Sequence, residues 1–465
     1  MNVLLVKPYN LSDHIQPSLG LGYLATSIRL RHKVEILDCI KERMTPRLFG
    51  LYIEKTKPQV VGIQCYTFDL YNIRKMLRSA KRIGAVTILG GPHPSAVPLE
   101  TMDFFRNKLD YAFQGEAEIG FSKLIDKLAG IKDCSFEDIE GLIWRKHGDI
   151  RMNEKHFTKD IDSLGGVAWD LIKPQAYPPA QHGAFFKKFP IAPIMVTRGC
   201  PYSCTFCAGH NVSGKILRKR NVQNVISEIK MLYDDFGIRE FHIVDDNFTL
   251  DKAYANSFLR TLKNMNLNIS WAVPNGIRMD LLDDEILILM KETGLYLVSL
   301  GIESGSDRIL NLMKKNITID KIKSSIAMIR RHGIEIAGFF IMGYPGETKK
   351  EIKKTIDLSL ELDLIRANFF IYLPFPGTES FDNLKRDGKL DDVSLKRFFF
   401  MMPTYTPEFI GRDELKGLQR KAFLKFFLRP KILIRNLMQV KSLRHFKYLS
   451  ARFFRWIVMP ETANL

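Results

Sequence analysis

At 465 residues, 46% hydrophobic and 26% charged, the chain is long enough for two or three domains with real cores and has the balance of a globular protein, which excludes a disordered or fibrous one. No stretch reaches the roughly 18–20 uncharged apolar residues of a membrane span, and the opening MNVLLVKPYN stops at Lys7 and Pro8, too short for a secretory signal. The net charge of +18 is uneven: twelve Lys and Arg and no Asp or Glu lie between Lys416 and Arg455.

The first part alternates short apolar runs with helical patterns. Strands are predicted at Val3–Val6, Val34–Leu37, Val60–Ile63, Val86–Leu89 and Tyr111–Phe113, and helices at Gly20–Leu30, Pro46–Lys55, Leu70–Ile83 and Leu99–Arg106. Such alternation argues a parallel sheet covered on both faces, and five units suit a flavodoxin-like doubly wound domain over residues 1–135. Ligands of that fold sit at the carboxyl ends of the strands. There the sequence places Tyr9 and Asn10, Asp38, Cys65 to Thr67, Gly90 to His93, and Gly115 with Glu116. Gly90 and Gly91 remove side chains where a backbone must approach a ligand. His93, alone in a turn, reads first as a hydrogen-bonding partner and second as a ligand.

Residues 136–190, with Pro174, Pro178, Pro179 and Pro190, read as a linker. A loop beginning at Arg198, RGCPYSCTFCAGH, then carries three of the six cysteines, Cys200, Cys204 and Cys207, spaced CxxxCxxC. Closed zinc sites want four ligands in two pairs, and no second pair lies nearby. Three thiolates on one short loop suit a 4Fe–4S cluster with one iron left open. The apolar run from Ile194 to Val196 reads as the strand that delivers the loop. Cys39, Cys65 and Cys134 are scattered and read as buried small hydrophobes. Free thiols and an oxygen-sensitive cluster point to the cytoplasm.

CxxxCxxC with an aromatic, Phe206, before its last cysteine resembles the radical S-adenosylmethionine (SAM) enzymes. The resemblance implies that the open iron chelates the cofactor's amino and carboxylate groups and that SAM is cleaved to a 5′-deoxyadenosyl radical. Upstream, LGGPHPSAVPLE followed by YAFQGEAE is similar to the cobalamin-binding domain that precedes many such enzymes. This implies cobalamin contacts at Tyr9, Asn10, Thr67, Gly90, Gly91, His93, Gly115 and Glu116. Domains that ligate cobalt through histidine carry DxHxxG after the first strand. Here His14 directly follows Asp13, so cobalamin without a protein histidine on cobalt is expected.

Residues 191–380 show six further strand-like runs: Ile194–Thr197, Glu240–Val244, Ile269–Val273, Tyr296–Leu300, Ile336–Met342 and Ala367–Leu373. Alternating with helices, they fit an incomplete (β/α)6 barrel, with chemistry at the carboxyl ends. By resemblance, Asp245, Asp246 and Asn247 meet the SAM amino group. Arg278 meets its carboxylate through a planar fork, and Glu303 and Ser304 meet the ribose hydroxyls. Gly343, with Gly346, lets backbone pass close to the adenine or methionyl group.

Residues 381–465 form a basic helical region. The apolar run Phe398–Met402, with Tyr405 after it, reads as barrel core or as the lining of an apolar channel. Leu415 to Leu428 is predicted as a helix with Leu415, Leu418, Ala422 and Phe426 on one face. Basic amphipathic stretches continue beyond Pro430, with a solvated basic face or contact with a membrane surface as the two readings. The function expected from the resemblance is C-methyl transfer to an unactivated carbon of a small-molecule or lipid substrate. A flavodoxin or ferredoxin would supply electrons. The alternatives are a non-methylating ring-forming or rearrangement enzyme and, from another class, a nucleic-acid-binding protein with a vestigial cluster. Only the basic tail supports the last, and a nucleic-acid partner is not expected.

Overall fold

The Val-, Ile- and Leu-rich runs of the first part pair as parallel strands, the central ones buried on both faces. The computed structural model describes residues 1–10, 15–178, 186–390, 403–438 and a few positions between 440 and 450. In it, β1 (Asn2–Lys7), β2 (Lys33–Asp38), β3 (Val60–Gln64), β4 (Val86–Gly90) and β5 (Tyr111–Phe113) lie parallel in the order 2-1-3-4-5. That is the flavodoxin-like order. Strand periodicity divides the apolar residues between two layers: Leu4 and Val6 join Phe49, Ile73 and Leu77 on one face, while Val3 and Leu5 join Leu21, Ile28 and Phe121 on the other.

The sheet does not end at β5. Two antiparallel strands, β6 (Leu142–Lys146) and β7 (Asp149–Met152), extend it to seven. Residues from 136 to 152, expected to be linker, therefore complete the first domain's sheet. β5 is only three residues long, and without β6 its open edge would be unpaired. The connecting turn has positive φ at both His147 and Gly148, as a tight hairpin requires, and His-Gly lacks the familiar Asn-Gly signature.

The second sheet contains β8 (Ile191–Ile194), β11 (Glu240–Ile243), β12 (Ser270–Ile277), β13 (Leu295–Glu303), β14 (Glu335–Met342) and β15 (Arg366–Ile371), all parallel and adjacent in that order. Between its first two strands, β9 (Thr197–Arg198) and β10 (Arg218–Lys219) form a small antiparallel pair. The first barrel strand thus lies three residues earlier than expected. It is an edge strand, which tolerates Pro193 because the missing N–H is not needed on the open side.

The opposite edge, β15, is covered by the helix Arg412–Phe427. Leu415, Leu418, Ala422, Phe423 and Phe426 are buried there, and Gln419 donates to the Phe369 carbonyl at 2.7 Å, satisfying a backbone group of the edge strand. Burying each large apolar side chain contributes roughly 1.5–3 kcal/mol. Tyr405 packs edge-on against Tyr372, as expected of a core residue, while Phe398–Met402 lie outside the described residues.

Candidate active site

The cysteine loop is held at both ends and in the middle. Pairing of Arg198 with Arg218 draws its two ends together. Asp245, buried after β11, accepts hydrogen bonds from Val196 N, Thr197 N and Thr197 Oγ1 at 2.7–2.8 Å; burial pushes its carboxyl up to about 7 against the pull of those bonds. Arg278, after β12, lies 3.9 Å over the Tyr202 ring. Thr205 N donates to the Met313 carbonyl after β13, and Thr205 Oγ1 lies 2.6 Å from the Tyr344 hydroxyl after β14. The Thr205 carbonyl accepts from Ser380 N and Oγ beyond β15. Phe206 packs among Ile309, Met313, Tyr344 and Tyr372. Five strand ends each contribute one brace.

The donor set fits a cluster. Burial pushes the Cys207 thiol up to about 11, with the charges of Cys204, Asp246 and Cys200 adding to the rise, while the Gly209 N–H, 3.5 Å from its sulfur, pulls the other way. Cys207 nevertheless stays exposed. Burial likewise raises Cys200, and a Tyr202 N–H lowers it. N–H groups aimed at sulfur favour the thiolate form that binds iron. Among the described residues, no three His, Cys, Asp or Glu converge as ligands of a single ion would. A cuboidal cluster bonds each thiolate to a different iron and does not need that convergence.

Around this loop, several residues expected to touch SAM have other partners. Asp245 clamps the loop as described. Arg278 forms a two-pronged ion pair with Asp280 and donates to the Lys315 and Asn316 carbonyls, so its fork is committed within the protein. Glu303 accepts from Lys315 Nζ at 2.9 Å in a buried ion pair, and its φ of +64° is one that side chains rarely adopt. The Ser304 hydroxyl is engaged by Ser306 N and Thr355. Gly343 also has positive φ, but a Cβ there would meet Leu415 at 2.7 Å, so it makes room for the helix that covers β15. Asp246 is exposed and pairs with the Ser213 hydroxyl. Asn247 differs from all of these: its side chain is buried, and neither amide atom has a hydrogen-bond partner. An unsatisfied buried amide is rare and marks a place for a polar ligand.

In the first domain, Asn10 donates to Asp69 Oδ1 at 3.0 Å, and Asn72 donates to the Tyr9 carbonyl. Thr67 Oγ1 lies 3.0 Å from His93 Nδ1, and burial holds the His93 imidazole down to about 4, hence neutral. His93 is thus a hydrogen-bonding partner through Nδ1. His14 and Asp13 lie outside the described residues. At Gly90 a Cβ would point into open space, whereas Gly91, with φ +110°, sits against the Cys65 backbone. Asp69 is buried with Oδ2 unpartnered, and burial pushes its carboxyl up to about 7. An open cradle beside an orphaned carboxyl fits a bulky polar ligand such as cobalamin.

Glu116 is not aimed at that cradle. Arg218 grips both its oxygens at 2.7 Å, Arg198 Nη1 lies 3.0 Å away, and Thr158 N donates at 2.9 Å. Arg198 also reaches Glu118 at 2.9 Å. Two carboxylates of the first domain are thus ion-paired with both strands flanking the cysteine loop. Gly115 N donates to Ser95 Oγ, and Gly115 bridges to His156. Nearby, the short helix Pro92–Ala96 packs on the helix His210–Ser213 that follows Cys207. Asn211 joins the Gly377 carbonyl and Lys155 there.

Comparison with known proteins shows the family. Residues 194–359 match the radical SAM superfamily, and residues 12–125 match the B12 binding domain. Over 427 residues the chain is 32% identical to an uncharacterized methyltransferase of Pyrococcus horikoshii, covering 91% of this chain and 90% of that one. The chain belongs to the cobalamin-dependent radical SAM methyltransferase family. It is also 29% identical to the cytidylyl-2-hydroxyethylphosphonate methyltransferase of Streptomyces wedmorensis, over 82% of this chain and 80% of that one. Its fold is shared with the cobalamin-dependent S-adenosylmethionine radical enzyme OxsB, solved with aqua-cobalamin and S-adenosylmethionine bound. The TM-score is 0.72 at 15% identity, over 97% of this chain and 70% of that one. The cofactors of this radical SAM enzyme are accordingly a 4Fe–4S cluster, S-adenosylmethionine and cobalamin.

Sequence reasoning passed over Lys315, Arg218 and Asp69. Lys314 and Lys315 are adjacent and identical, yet the first is an exposed partner of Glu379 and the second a mostly buried partner of Glu303. No local signal separates them.

Two predictions follow from the loop and its anchor. Replacing Cys200, Cys204 and Cys207 together with Ala is expected to abolish iron binding and reductive SAM cleavage, read by iron analysis and 5′-deoxyadenosine formation; a full cluster in that variant would contradict the assignment. Burial raises the Glu116 carboxyl, but Arg218 and Arg198 outweigh it and hold it below the ordinary glutamate value. Its contribution is therefore intact above the unfolded value and lost as pH falls through the folded one. Glu116→Gln should cost about 3–5 kcal/mol near neutral pH, because it leaves a buried guanidinium uncompensated. It should also flatten the acid limb of stability in denaturant titrations.

Proposed function

We propose that this protein transfers a methyl group to an unactivated carbon of a small or apolar molecule bound between the mouths of its two domains. The observation that carries this reading is the contact of the helix Pro92–Ala96, which follows Gly90 and Gly91, with the helix directly after Cys207. It sets the two ligand-facing ends toward one another, where a substrate can meet both.

When bound, the cluster with SAM supplies hydrogen-abstracting radical chemistry, and cobalamin supplies a methyl group. Cys200, Cys204 and Cys207 hold the cluster on a loop braced from five sides. Asn247 offers its unpartnered amide, with Asp246 beside it, to the polar end of SAM. Gly90 leaves the cradle open, and Asn10, Asp69 and Thr67 line the neighbouring strand ends. Phe206, Tyr344 and Tyr372 pack together against the loop and support it from the barrel side. Side chains provide no low-potential electron, so a flavodoxin or ferredoxin is the expected partner. The cytoplasm, where Cys39 and Cys65 remain free thiols, is the expected compartment.

Anaerobic holoenzyme given reductant and SAM should release about one S-adenosylhomocysteine per cobalamin in a first turnover, followed by slower 5′-deoxyadenosine. Release of 5′-deoxyadenosine with no S-adenosylhomocysteine would turn the assignment to a non-methylating reaction. Because the DxHxxG spacing is missing at Asp13-His14, electron paramagnetic resonance of the cob(II)alamin form should show no nitrogen splitting from a protein histidine. A nitrogen triplet that disappears in His93→Ala or His14→Ala would show that a protein histidine binds cobalt.

A further inference from the structure

The two basic helices of the C-terminal region treat their apolar residues in opposite ways. Arg412–Phe427 buries its apolar face on β15 and leaves Arg420, Lys421 and Lys425 exposed. The next helix, Pro430–Met438, touches the body through buried Ile432 and turns the rest of its large apolar side chains outward. Ile434 is 57% exposed, Leu437 58% and Met438 80%, with Leu433 beside them. At about 100° per residue these four fall within one arc of about 140°, and Ile432 lies on the opposite side. Leu428 before the helix and Leu443 and Phe446 after it are exposed as well. A contiguous apolar patch of this kind marks an interaction surface.

We propose that this patch is a docking surface for an anionic lipid membrane. Charge decides among the occupants. No Asp or Glu occurs from Leu415 to Pro460, while twelve Lys and Arg lie between Lys416 and Arg455. At the edge of the apolar arc, Lys431 and Arg435 pair with Asp363 and Glu335 of the barrel, which holds the helix to the body. Arg420, Lys421 and Lys425 are exposed on the adjoining helix. A second copy of the chain would set this cationic surface against its own image. A nucleic acid would use the cations but leave Leu433, Ile434, Leu437 and Met438 without a role. An anionic headgroup layer above acyl chains answers both features, with the apolar arc in the acyl boundary and the cations among the headgroups. No helix among the described residues is long and apolar enough to cross a membrane, so the contact is a surface one. It would bring the enzyme to its membrane whatever substrate it methylates.

The test is flotation of full-length holoenzyme with phosphatidylcholine vesicles and with vesicles in which a third of the lipid is phosphatidylglycerol. Binding should be at least about tenfold tighter on the anionic vesicles at low salt, since each headgroup-facing cation is worth about fivefold. Leu437→Glu with Met438→Glu should weaken it by about tenfold or more, as should Arg420→Glu with Lys421→Glu and Lys425→Glu. All these positions are exposed, and unchanged thermal unfolding would confirm that each variant folds. Met438→Glu alone provides a milder second variant. The proposal is overturned if the protein stays off anionic vesicles at low salt, or if the Leu437/Met438 variant binds them as well as the parent. It is also overturned if a duplex oligonucleotide strips the protein from the vesicles and binds that variant undiminished.

Discussion

The grip of Arg218 on the Glu116 carboxylate is the interaction on which the rest of this structure depends. Burying charges is unfavourable unless geometry and hydrogen bonding compensate, and here both are present: a guanidinium fork on two oxygens, a second arginine, and a backbone N–H. What the pair secures is register. Glu116 stands at a strand end of the cobalamin domain, and Arg198 and Arg218 belong to the two short strands that close the cysteine loop. An apolar contact of equal area would hold the domains together but would permit sliding. A fork on a carboxylate fixes both distance and direction, which a reaction between two separately bound cofactors needs.

Within the barrel, the strand-end residues serve first to hold the loop. Asp245, Arg278, Tyr344 and Ser380 come from different strand ends and converge on a segment whose glycines and proline give it no regular structure of its own. Rigid support from several directions keeps the three thiols in place before any metal is bound, the preorganisation expected of a cofactor site. Against that background the unpartnered groups stand out. Asn247, after β11, and Asp69, in the segment after β3, are buried with side-chain atoms that have no hydrogen-bond partner.

The C-terminal region divides into two functions along its length. The helix Arg412–Phe427 closes the edge that a partial barrel leaves exposed, using Phe426 against Phe369 and Gln419 on a strand carbonyl. The helix after it is pinned by Ile432 and by ion pairs to Asp363 and Glu335, with its larger apolar side chains left outside. Similar composition therefore has different roles, depending on whether a sheet edge lies underneath.

The amino-acid sequence by itself determined the two α/β domains, most of their elements to within a residue or two, and the cluster cysteines. Each of these rests on local patterns: a two-residue or 3.6-residue repeat, a glycine at a strand end, thiols a few residues apart. It did not disclose β6 and β7, whose pairing depends on the unprotected edge of a three-residue strand far upstream, nor the position of β8, set by register against β11. Asn247 and His93 were legible as polar groups at strand ends, but their opposite situations, one unpartnered and one bonded to Thr67, were not. Glu116, Arg278, Asp245 and Glu303 were expected as cofactor contacts on the family resemblance. Only the tertiary structure showed that Arg218, Asp280, Thr197 and Lys315 already hold them. Glu116 and Arg218 are 102 residues apart and Asp245 and Thr197 are 48 apart, and the physical reason is general: a charge's role is set by whatever faces it across space, which sequence spacing does not record.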